Sequence, residues 1–252
     1  MKIIFTHIEK CAGTSFNELL QLNYFRYIHI TKNKFGGNDR KNDLTYEQFK
    51  QIKKLYPSGI GGHSVRPYLD FLKLEKSFNI TFLREPLERY MSQYNHDKEM
   101  GFTRDIEHFL SREYMNNFMV NKLAGENNID KAINYLDRFD FVGDANRYFQ
   151  SLNHLDHLLN KRFYGTAQQK NVRSKKNEYI IFSDLSDLQK AKAIENNALD
   201  IELYNYFLKN SSYLNNYPNM YDFKKPSKLR IKLLYKLNKR RKSKIKDIRN
   251  KF

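Results

Sequence analysis

Residues 2–22, KIIFTHIEKCAGTSFNELLQL, constrain the fold more than any other stretch of the chain. The apolar run Ile3–Phe5 fits a buried strand over Lys2–Thr6, and a helix is predicted from about Thr14 to Leu22. Between them lies a polar loop ending in Gly13-Thr14-Ser15. Strand, small-residue loop and helix start are together the layout of a phosphate-binding loop, because N-terminal helix N–H groups and the helix dipole attract anions. In that reading the N–H groups of residues 11–15 (Cys11, Ala12, Gly13, Thr14, Ser15) face the anion, and Lys10 adds a mobile charge. The common nucleoside-triphosphate version, G-x-x-x-x-G-K-[ST], carries lysine after its second glycine, whereas Lys10 precedes the only glycine here. A plain strand-to-helix turn capped by Thr14 or Ser15 fits the same residues.

The remaining pattern alternates short strands with helices. Thr45 has the features of a helix cap, with Tyr46, Phe49, Ile52 and Leu55 at helical spacing behind it. Residues 60–65, IGGHSV, fit a strand end or an exposed loop, and NITFL (79–83) fits a buried strand. Pro86 then opens a helix, Thr103 is predicted to cap another, and a third over Asn116–Ala124 stops at Gly125. FDFV (139–142) fits a strand, followed by helices over 146–159, 186–197 and 198–209; residues 178–182 fit a strand or a helix approach. This order predicts an α/β fold with a central, mostly parallel sheet flanked by helices.

The 252 residues suit one large domain plus an appendage. A mean hydropathy of −0.78 argues for a soluble chain, and no stretch reaches the roughly 18–20 apolar residues that span a bilayer. The lone cysteine excludes an internal disulfide, and a cytoplasmic setting is expected. The net charge of +17 is uneven: Lys224–Phe252 holds 14 Lys or Arg and one acid, so +13, leaving +4 for everything before it. The expected division is a domain over 1–223 and a basic tail over 224–252. Leu229, Leu233 and Leu237 recur at i, i+4, i+8 in that tail, which suits an anionic membrane surface, or equally an extension packed on the body. Nucleic acid is disfavoured, since the charge is not spread over the domain.

A second constellation is FLREPLERYMSQYNH, residues 82–96. Arg84 falls at the carboxyl end of a predicted strand, where open α/β sheets bind ligands. Ser92 follows eight residues later, roughly two helical turns on, so the two suit a second phosphate. A surface Arg84–Glu88 pair with a solvated serine is the plain alternative.

HIEKCAGTSF resembles the 5′-phosphosulfate loop of carbohydrate sulfotransferases, H-I-P-K-T-G-G-T-S, and FLREPLERYMSQYNH resembles their 3′-phosphate segment, L-R-D-P-V-x-R-x-x-S-x-Y. FDFVGDANRYFQSLNHL, Lys170-Asn171-Val172 and ALDIELYNYF also resemble family segments, in the same order, so the likeness covers residues 2 to about 209. The segments also resemble those of the heparan sulfate 2-O- and 6-O-sulfotransferases and their bacterial counterparts. The resemblance implies a P-loop-like sulfotransferase fold and the donor 3′-phosphoadenosine 5′-phosphosulfate (PAPS), leaving as 3′,5′-phosphoadenosine (PAP). It implies donor binding by residues 10–15, Arg84, Ser92, Asn171 and Val172, a saccharide or polysaccharide acceptor, and no metal. Glu9, Cys11 and Ala12 stand where the family has proline, threonine and glycine, and Ala12 suits the loop with a negative φ.

Sulfuryl transfer, like phosphoryl transfer, builds charge on the leaving oxygen, a role for Lys10 and the loop N–H groups. A neutral histidine suits removal of the acceptor proton. His63 in GGHSVRPYLDF follows two glycines and lies between the donor motifs, as the catalytic histidine does in the resembling enzymes; an ordinary loop histidine is the alternative. Arg66 is a candidate for binding an acidic acceptor, and His7 is expected to pack under the loop. Two other readings remain: a P-loop kinase, against which the lysine placement argues, and a non-catalytic basic module acting through the tail.

Overall fold

β1 (Lys2–Thr6) buries both faces, Ile3 and Phe5 in one hydrophobic cluster and Ile4 in another, as a strand inside a parallel sheet must. The computed structural model describes residues 1–31, 40–74, 76–165, 179–234 and 236–237. β2 (Tyr27–His29), β3 (Gly59–Gly62), β4 (Ser77–Leu83) and β5 (Phe141–Asp144) join β1 in a five-stranded sheet of order β2-β3-β1-β4-β5. Every pairing is parallel, with Thr6 opposite both Gly62 and Thr81. The fold is therefore α/β with helices around a parallel sheet, as the alternation of strands and helices requires.

The helix α1 (Gly13–Asn23) leaves β1 for β2 on one side, and β4 lies on the other. The connections reverse direction between β1 and β4, and a crevice opens at the carboxyl ends of strands at such a point. α1 buries Phe16, Leu19 and Leu20 in the larger cluster, with α5 (Phe118–Ala124), α7 (Tyr148–Leu159) and α9 (Ala198–Lys209) also contributing. α2 (Tyr46–Lys53) covers the other face through Phe49 and Ile52, and Thr45 caps it in a reciprocal box with Gln48. α3 (Pro86–Glu99) starts on proline at its first turn.

The edge strand β2 and the helix α6 (Ile129–Leu136) are not among the sequence expectations; β2 has three residues and depends on pairing with β3, whereas α6 carries Ile129, Ala132, Ile133 and Leu136 at helical spacing behind the Asn128 cap. Residues 60–62 form an interior strand, not an exposed loop. Thr103 does not cap the helix α4 (Ile106–Leu110); Asp105 does, accepting from the His108 N–H, while the Thr103 hydroxyl donates to the Asp105 carbonyl. Tyr179–Ile181 is not a strand among the described residues. The Asn95 side chain both donates to the Ile180 carbonyl and accepts from its N–H, taking the place of a ladder partner.

α5 and α9 cap one another. The buried Asp200 accepts from the N–H groups of Met119 and Val120, and Asn117 accepts from that of Leu199. α8 (Asp187–Asn196) leads into this joint, where Asn117 N–H donates to the Asn196 carbonyl. Beyond residue 223, Lys224 bonds through its backbone to Phe163 and Gly165. Arg230 donates to the Leu22 carbonyl from two nitrogens and lies over Phe25 and Tyr164. Leu234 is buried, whereas Leu229 and Leu233 are exposed. Asp200→Ala leaves two buried N–H donors without their acceptor, and is expected to lower unfolding free energy by about 1–3 kcal/mol in a denaturant titration. A loss within error of zero would show that the reciprocal cap contributes nothing.

Candidate functional site

The parallel register sets His7 and His63, just beyond β1 and β3, side by side, while β4 pairs Thr81 with Thr6 and runs two residues further before Arg84 follows it. Gly62 makes the first approach possible: its φ is +134°, and a Cβ there would lie 2.1 Å from the Ile30 carbonyl oxygen. His63 then stacks on His7 with ring centres 4.0 Å apart, while His29, at the end of β2, lies 6.3 Å from each ring. His7 is buried under the loop as expected, its Nδ1 3.0 Å from the Asn17 amide, which in turn accepts from Tyr27 Oη at 2.6 Å. Burial first, and His63 next, hold the His7 pKa well below the usual imidazole value.

The loop over His7 has no room for a side chain at Gly13, whose Cβ would sit 1.8 Å from the His7 ring. Lys10 and Ala12 both adopt left-handed backbone, φ 67° and 57°. The negative φ expected at Ala12 is therefore not what the loop adopts, and each such residue costs about 1–2 kcal/mol. Left-handed residues within a tight turn gather backbone N–H groups into an anion-binding concavity. No side chain caps α1, so its first-turn N–H groups, which no helix carbonyl can reach, lie at the same place. Thr14 is exposed there, and Lys10 and Ser15 are partly exposed.

Cys11 departs from the expected donor set. Its N–H donates to the Ile8 carbonyl and its buried thiol contacts Met119 Sδ, because the turn points it inward. Burial pushes the thiol up to about 12, against the opposing cations of Arg89 and Arg84. Arg84 joins the two motifs: its Nη1 donates to the Lys10 carbonyl at 3.4 Å, and its Nη2 pairs with Glu88 at 3.2 Å. Ser92 is partly exposed on α3. Arg66 does not serve an acceptor mouth. It is buried with Nε 2.9 Å from Asp43 Oδ1, and Tyr68 donates to the other Asp43 oxygen. Asn171 and Val172 lie outside the described residues. His154 stacks on Tyr213 at 4.0 Å, and no metal-binding group of three His, Cys, Asp or Glu occurs among the described residues.

Two residues escaped the sequence reading. Glu9 turns inward, where it lies 2.9 Å from His63 Nδ1 and 2.7 Å from Lys122 Nζ on α5. Burial would raise its carboxyl pKa, but Lys122 and then His63 outweigh burial and hold it well below the usual range. Lys122 is completely buried, and burial pulls it down to about 7 against the attraction of Glu9. The signal for Lys122 was present: it stands four residues after Phe118, on the face that Phe118 and Met119 bury.

Residues 1–207 match the model of the sulfotransferase family, and the chain belongs to that family. No curated protein matches it. The match spans all five strands and both motifs, and stops near the end of α9. The chemistry of the family is transfer of a sulfuryl group.

The inward-facing thiol gives a direct check on the loop. Cys11 is expected to resist a disulfide thiol reagent in the native protein at pH 8 and to react fully once unfolded. Stoichiometric labelling of the native chain would place Cys11 at the surface and overturn this loop geometry.

Proposed function

We propose that this chain moves a sulfuryl group from PAPS to a hydroxyl of a saccharide or polysaccharide. The observation that carries the reading is the contact of Arg84 with the Lys10 carbonyl, which unites both donor motifs at the crevice between β1 and β4. The residues fit such a donor: a tight, strained loop ahead of an uncapped helix for one phosphate, and Arg84 with Ser92 for another. The donor supplies an activated sulfuryl group on its 5′-phosphate.

The acceptor oxygen forms its bond to sulfur as the bond from sulfur to the phosphate oxygen breaks. His63 takes the hydroxyl proton, and Lys10 with the first-turn N–H groups of α1 stabilises charge on the departing phosphate. The positive field of Lys10 and Arg84 also favours an anionic acceptor. The lysine ahead of the glycine, not after it, favours this reading over a kinase.

PAP at a hundredfold over its Kd is expected to stabilise the protein by about 2.7 kcal/mol, roughly 5–10 °C in Tm. Arg84→Ala should remove that shift. His63→Ala should retain it and lose about a hundredfold or more in transfer of labelled sulfate. A shift with ATP and magnesium in place of PAP would favour a kinase, and unchanged turnover in His63→Ala would remove that histidine as base.

The exposed Leu229 and Leu233, beside exposed Lys228 and Lys232, support a peripheral contact with an anionic membrane at a cytoplasmic face. Leu229→Asp with Leu233→Asp should reduce sedimentation with phosphatidylserine vesicles several-fold and spare transfer to a soluble acceptor. Equal sedimentation would end the membrane reading.

A further inference from the structure

Glu9 occupies a position where the resembling enzymes have proline, and a buried carboxylate there needs a reason. Its surroundings supply one. From the loop after β3, His63 brings Nδ1 to 2.9 Å of Glu9 Oε1. From α5, Lys122 brings its ammonium to 2.7 Å. The other titratable or charged groups facing His63 and Glu9 are His7 from β1, His29 from β2 and Arg66, itself held by Asp43.

A bare ring nitrogen that close to a carboxylate would be repelled by it, so the 2.9 Å approach favours a proton on Nδ1, although the N–H direction is not aligned for a full hydrogen bond. Nε2 then remains the basic nitrogen of the neutral ring. The stack on His7 fixes the ring plane, and Glu9 fixes the ring's rotation about it. Lys122 in turn anchors the carboxylate from the core, where side-chain motion is restricted by packing on every side.

We propose that Glu9 is a positioning residue for the base, holding the His63 proton on Nδ1 so that Nε2 is left to accept, and that Lys122 restrains Glu9. This rests on the sulfuryl-transfer reading for its purpose, but not for its geometry.

The test uses the full chain with 15N-labelled histidine. Long-range proton–nitrogen spectra give the His63 tautomer without any substrate. Wild type is expected to hold the Nδ1–H form. In Glu9→Gln that preference should be lost, and in Lys122→Met it should weaken as the carboxylate loses its anchor. In Glu9→Gln, kcat should fall at least about tenfold while KM for PAPS holds. General loosening of the core would not change the tautomer while sparing that KM.

Breaking one member of a buried pair can unfold a protein, so Glu9→Gln with Lys122→Met, which leaves neither charge, is the second measurement. It should fold and still lack the fixed tautomer. A wild-type spectrum without the Nδ1–H form, or an unaltered tautomer in all variants, overturns the proposal. If the spectra respond as stated yet wild type transfers sulfate to no acceptor, the coupling stands and the sulfuryl-transfer reading falls.

Discussion

The hydrogen-bonded pairing of β1 with β3 on one side and β4 on the other carries the rest of this molecule. β1 and β3 end in register and β4 runs two residues past them, so the residues that follow all three are delivered to one edge of the sheet. His7, His63 and Arg84 stand on three separate loops, yet none depends on its loop for its basic placement. The loops then act locally: Gly62 draws His63 onto His7, and Gly13 lets α1 begin directly over the His7 ring. A one-residue slip of β1 against either neighbour would exchange the Ile3 and Phe5 face with the Ile4 face, mismatching both cores, and shift the two motifs apart.

Several of the conformations at this edge run against local preference. Lys10 and Ala12 are left-handed without being glycine, and Glu9 and Lys122 are charges inside the core. Strain of this kind persists only where the surroundings over-determine it. Here they do so from below through His7 and Asn17, and from the side through Arg84 on the Lys10 carbonyl. The reciprocal caps between α5 and α9 fix the helix that carries Lys122. The site is thus supported by elements that touch no ligand in the proposed reaction.

How much of this was legible follows from the range of the interactions. β1, α1, β4 and α3 declare themselves in contiguous residues, through an apolar run, a small-residue loop and Pro86 at a helix start. Arg84 is a candidate because it follows a predicted strand, and His63 because it follows two glycines between the donor motifs; the structure sets both at the same edge of the sheet. β2 was not legible, since three residues carry too little pattern and the strand exists through its pairing with β3. Thr103 and Asp105 offer equivalent caps in sequence, and the geometry chooses between them. Arg66 reads as a candidate for an acidic acceptor because its partner, Asp43, is distant along the chain. Glu9 reads only as a departure from the family's proline because nothing local shows that Lys122, 113 residues away, receives it.

The buried Lys122–Glu9 pair is poorly explained by stability. Exchanging a buried ion pair for apolar residues of similar volume is often neutral or stabilising, because the desolvation of both ions offsets their attraction. An apolar pair at these positions would keep the buried contact with Phe118 without the cost of desolvating two ions. What it would not do is present a fixed anion to the ring of His63. The third member of the cluster, partly exposed at the edge of the sheet, therefore decides between the two accounts: two buried charges serving only each other are dispensable, whereas two that orient a ring at the mouth of the crevice are part of the site.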